Sequence, residues 1–148
     1  AVAVFEGPEL RFRAVSATYR RIVGERDLVG RTLRDALPEL RGGVDGADFF
    51  ALLDGVRRTG RPLVANAVHA SWDDNGDGVP EEHSVDLIYA PLFAADAHGA
   101  HGAHDAHDAH DAHDAGEVDC VAALVLDVSA LVRAEAAERE SEARFRNV

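Results

Sequence analysis

The run EVDCVAALVLDVSALV at residues 117–132 joins two incompatible patterns with no linker between them. Residues 118–128 are mostly apolar and rich in β-branched side chains, the composition of a strand buried on at least one face. From Ala130 to Val148, Ala, Leu, Glu and Arg take over without a Gly or Pro, which is the composition of a helix. Ser129 stands at the change, placed to cap the first turn through its hydroxyl. A core strand that runs directly into a charged helix is a mechanical joint, because a shift of one must move the other.

The rest of the chain has to build a sheet around that strand. At 148 residues with 47% hydrophobic content there is material for one core and an appended helix. The 27 acidic residues outnumber the 15 basic ones, for a net charge of −12, which argues against a nucleic-acid or anionic-membrane surface. A single cysteine, Cys120, excludes an internal disulfide framework, and no apolar run is long enough to span a bilayer. The chain has no Met and opens inside an apolar run. We therefore expect a cytoplasmic domain of a longer protein.

In order, residues 1–5 and 10–15 read as two strands joined by a Gly-Pro turn. Ser16 caps a helix over 17–23 that ends at Gly24, and a second short helical piece covers 32–36 before Pro38. Residues 42–46 read as a loop. Asp48 caps a longer helix over 49–58, with Phe49, Leu52, Leu53 and Val56 on one face. Strands are predicted over 62–72 and 85–92, the latter placing Val85, Leu87 and Tyr89 opposite Asp86 and Ile88. Between them Asp73, Asp74, Asn75, Gly76, Asp77 and Gly78 form a turn-rich tip. Strands, short helices and strands again give an α+β layout, an antiparallel sheet with helices on one face. Residues 95–116 are a low-complexity insert read as a protruding loop.

Several stretches together resemble a PAS domain of the kind found in bacterial sensor histidine kinases. They are SATYRRIVG at 16–24, DLVGR at 27–31, LRDALPEL at 33–40, FFALLDGVRRTGRPL at 49–63, YAPL at 89–92, the Asp127-Val128-Ser129 triplet, and ESEARFR at 140–146. The chain departs from the pattern at Ser16, where many members carry Asn, and at Cys120, where relatives often carry Gly. The resemblance implies a five-stranded antiparallel sheet with its last strand in the middle and short helices on one face. It further implies that residues 130–148 connect residues 1–129 to a downstream output domain of a two-component system, that the domain forms a homodimer, and that a pocket between sheet and helices takes a small-molecule ligand. Leu53, Val64, Val85, Leu87, Tyr89 and Val125 are the candidate lining, though the same side chains serve equally to fill a core. Flavin sensing in this family uses a Cys in the helical region, and haem sensing a His on the long helix. This chain has neither, so both cofactors are disfavoured and any ligand is unassigned.

His98, His101, His104, His107, His110 and His113 recur every third residue. Imidazoles at that density offer weak, multivalent capture of nickel or zinc. A period of three drifts by about 60° per repeat around an α-helix, so no preformed tetrahedral site is encoded. The alternative is a tolerated repeat in a solvated loop. Asp73, Asn75, Asp77 and Gly78 match the first half of a calcium loop, but Ser84 stands where the bidentate Glu belongs, and a hairpin tip explains the same letters. No nucleophile, phosphate loop or acid pair marks an enzyme. The expectation is a non-catalytic sensory module that relays its signal through Asp127 and Ser129. Its rivals are a ligand-free dimerisation module and a metal-handling protein built on the histidine repeat.

Overall fold

The computed structural model describes residues 1–94 and 117–146. The elements are β1 (Val2–Glu6), β2 (Arg11–Val15), α1 (Ala17–Ile22), α2 (Leu33–Ala36), β3 (Arg41–Val44), β4 (Ala47–Asp48), α3 (Phe49–Thr59), β5 (Leu63–Trp72), β6 (Glu81–Phe93), β7 (Val118–Asp127) and α4 (Ser129–Arg146). The fold is α+β, with one antiparallel sheet in the order β2-β1-β7-β6-β5-β3-β4. β7 lies inside the sheet, with β1 along one edge and β6 along the other. The expected count of five strands is exceeded by the hairpin of β3 and β4.

That hairpin occupies the segment read as a loop. Arg41 pairs with Ser71 and Gly42 with Ala70, so β5 supplies the ladder that local propensity does not. Gly42 and Gly43 have φ of 110° and 152°, and a Cβ at either would collide with the carbonyl oxygen of His69 or Ala47. Only glycine lets these backbones approach so closely.

The helices begin where short polar side chains cap them. Ser16 Oγ accepts from Tyr19 N–H at 3.1 Å, Thr32 Oγ1 from Asp35 N–H at 3.2 Å, and Asp48 Oδ1 from Ala51 N–H at 2.8 Å. Ser16 Oγ also accepts from Val2 N–H at 3.0 Å, tying the start of α1 to β1. Gly60, in the left-handed conformation with φ 64°, ends α3. α3 lays its apolar face across β6 and β7, burying Phe49, Leu53 and Val56. Phe5, Leu10, Phe12, Leu28, Leu53, Leu87 and Val121 form the fully buried centre.

α4 differs from the other helices. Val128 and Ser129 are buried, at 8% and 7% exposure, while residues 133–146 are exposed throughout. It does not lie back on the sheet. Pairs at i,i+4, Arg139 with Glu135 at 3.8 Å and Arg144 with Glu140 at 2.6 Å, run along it. Among the described residues no helix is long and apolar enough to cross a membrane.

Candidate functional site: the strand-to-helix joint and the cavity beside it

β7 ends at Asp127, opposite Val85, but β6 continues beyond it to Glu81. The overhang is used. Val128 N–H donates to the Ser84 carbonyl at 2.8 Å, and Ser84 N–H donates to Ser129 Oγ at 2.9 Å. The ladder thus passes through the end of the strand into the first residue of α4. Asp127 Oδ1 accepts from Ser129 N–H at 2.9 Å and from the Ser129 hydroxyl at 2.5 Å. The capping roles are therefore exchanged relative to the sequence expectation. Asp127 takes the orphan N–H, and the Ser129 hydroxyl bridges Asp127 to β6. Burial works to raise the Asp127 carboxyl, but hydrogen bonds from Ser129 and His83 outweigh it and hold it below the usual carboxylate range.

His83 is the residue that the sequence reading missed. It stacks on Trp72 with ring centroids 3.8 Å apart and planes 8° from parallel, and its Nδ1 lies 3.1 Å from Asp127 Oδ2. Its side chain is 11% exposed. Trp72 in turn donates its indole N–H to the Ile22 carbonyl at 2.5 Å. A chain of contacts thus runs from α1 through Trp72 and His83 to Asp127 and the start of α4. The alternation of Val85, Leu87 and Tyr89 contained the signal, because the same face continued two residues back is His83 and four back is Glu81. β6 begins at Glu81, four residues before the expected start at Val85.

Between the sheet and the short helices lies a cavity of about 50 Å³. Val85, Leu87, Tyr89 and Val125 line it, joined by Tyr19 and Trp72, which sequence reasoning did not name. Burial pushes the phenols of Tyr19 and Tyr89 well above the ordinary tyrosine range. Two of the candidate lining residues lie elsewhere. Leu53 is 2% exposed beneath α3 and fills the core, and Val64 is 65% exposed. The cause at Val64 is a β-bulge between Ala65 and Val68, where β5 uses one residue more than β6. Ala67, at φ 50°, sits in the bulge, and its N–H donates to Asp86 Oδ1 at 2.7 Å. The extra residue flips the alternation, so Val64 faces outward opposite Ile88 while Val68 faces inward opposite Val85. The volume is far below the roughly 300–1,000 Å³ that encloses a drug-sized ligand.

Three side chains of the tip between β5 and β6, those of Asp73, Asn75 and Asp77, fold back on its own backbone, while Asp74 Oδ2 lies 3.5 Å from His83 Nε2. Asp73 accepts from Gly76 N–H at 2.6 Å and Gly78 N–H at 2.8 Å, Asn75 from Asp77 N–H at 2.9 Å, and Asp77 from Val79 N–H at 2.8 Å. These are turn-forming bonds of the kind that Asx residues make at hairpin tips. His98, His101, His104, His107, His110 and His113 lie outside the described residues. No model of a known protein family matches the chain.

Proposed function

We propose that this chain is a PAS-type sensory relay module of a cytoplasmic signalling protein, a sensor histidine kinase being the expected parent. It catalyses nothing itself and passes a displacement of the sheet to α4. The observation that carries the reading is the joint. Strand and helix are fastened by hydrogen bonds at Ser84, Asp127, Val128 and Ser129, while among the described residues the helix beyond touches almost nothing else. A lever needs both properties, a stiff root and a free arm. The position of β7 between β1 and β6 supports the same reading, because it agrees with the central final strand that the PAS resemblance implies. In the intact signalling protein, Asp127→Ala combined with Ser129→Ala leaves the domain folded and renders output indifferent to the signal. Normal signal-dependent output from that double variant sinks the proposal.

The second reading is a ligand-free dimerisation module, and the cavity size favours it. Val2, Leu124, Ile88 and Val64 stand opposite one another across β1, β7, β6 and β5, all at least 40% exposed. This apolar row and the free α4 suit a second copy of the chain. Native mass spectrometry separates the readings: a co-purified small molecule supports ligand sensing, and an empty dimer supports the second.

A further inference from the structure

Asp74, Glu81 and His83 converge beneath the hairpin tip, each offering a ligand atom within 4.8 Å of the others. His83 carries the argument. The Asp127 carboxylate is ionised and can only accept, so the hydrogen bond between them puts the imidazole proton on Nδ1. In the neutral ring Nε2 then presents a lone pair. That atom is shut off from solvent, makes no hydrogen bond, and lies 3.5 Å from Asp74 Oδ2. A cation between Nε2 and the Asp74 carboxylate, either a proton on the ring or a metal ion, turns that contact into an attractive one. Arg26 pairs with Glu39 and donates to the Asp73 carbonyl at 2.5 Å.

A proton on His83 reaches Asp74 alone, whereas a metal ion engages all three groups at once. We propose that Asp74, Glu81 and His83 bind a divalent first-row transition metal, with zinc the best match to one imidazole and two carboxylates plus a water in a four-coordinate shell. Asp127 is the outer partner, orienting the imidazole through Nδ1 as a carboxylate behind a metal-bound histidine does. Ligands of a tetrahedral site lie about 3.4 Å apart, so binding draws the three groups closer, with Glu81 already held at the tip by the Asp74 N–H at 3.1 Å and the Asn75 side-chain amide at 2.7 Å. The proposal stands whether or not α4 drives an output domain.

Trp72, the only tryptophan of the chain, stacks on His83 and reports the site directly. The probe is Co²⁺, titrated into the full chain and into a version with His98, His101, His104, His107, His110 and His113 all replaced by alanine. Both chains show saturable quenching of Trp72, reversed by Zn²⁺. Glu81→Gln and Asp74→Asn each weaken it by at least about tenfold, and His83→Gln abolishes it with the far-ultraviolet circular dichroism unchanged. If His83→Gln fails to fold, the two carboxylate variants decide. Quenching that disappears with the histidine repeat, or that survives unweakened in both carboxylate variants, overturns the proposal.

Discussion

Asp127 satisfies three donors with two oxygens, and each donor belongs to a different job: the helix start, the Ser129 bridge to β6, and the orientation of His83. Asp127→Ala is expected to cost about 1–3 kcal/mol in urea unfolding, because it strips a cap and leaves part-buried donors unpaired. The acid limb of stability belongs to the same scale. At Glu39 burial opposes ionisation but the Arg26 guanidinium wins; at Asp73 the Gly78 and Gly76 N–H groups win; at Asp127 Ser129 and His83 win. A carboxyl with a lowered folded-state pKa stabilises the fold above its unfolded value, near pH 4, and that contribution is lost as pH falls through the lower folded value. The melting temperature should hold between pH 7 and 5 on this account and fall below about pH 4, with a shallower fall in Asp127→Asn. An unchanged acid limb in that variant would contradict it. Asp127 and Ser129 were legible as a joint from the letters because a strand composition met a helix composition there. Their division of labour was not, since the partners Ser84 and His83 are about 45 residues away in sequence.

Elements followed from the sequence where a local rule decided them and escaped where a distant pairing did. Ser16, Thr32 and Asp48 set helix starts within their own first turns, and those starts were readable. The β3–β4 hairpin was invisible because its glycines have no strand preference and take their ladder from β5. The bulge in β5 was equally hidden. No letter announces that Ala67 leaves the alternation, yet that one residue moved Val64 from the inner face to the outer. Asp86→Ala, which removes the acceptor for the Ala67 N–H, is expected to cost about 1 kcal/mol. Ala67→Gly, at a left-handed φ, is expected to gain about 0.5–1 kcal/mol. Chemical denaturation of both checks the bulge. α4, by contrast, is the charged helix that its own composition predicts, and its i,i+4 pairs alone would leave it marginal in water.

At the scale of the whole molecule, a stiff sheet carries an exposed apolar row on one face and a projecting helix at its centre. Ile88 and Leu124 are paired neighbours in that row, 42% and 43% exposed. Ile88→Lys with Leu124→Glu, which sets opposite charges across the pair, should leave the melting temperature of the domain nearly unchanged and convert a dimer to a monomer in light scattering coupled to size exclusion. A wild-type chain that is monomeric at high micromolar concentration would remove the second copy from the account. The central claim is that β7 and α4 move as one body, and residual dipolar couplings test it most directly. Amides of α4 should fit the same alignment tensor as those of β6 and β7, and should cease to do so in the Asp127→Ala, Ser129→Ala double variant while the sheet amides keep theirs. Couplings of α4 averaged toward zero in the wild-type chain, with the sheet well ordered, would contradict it.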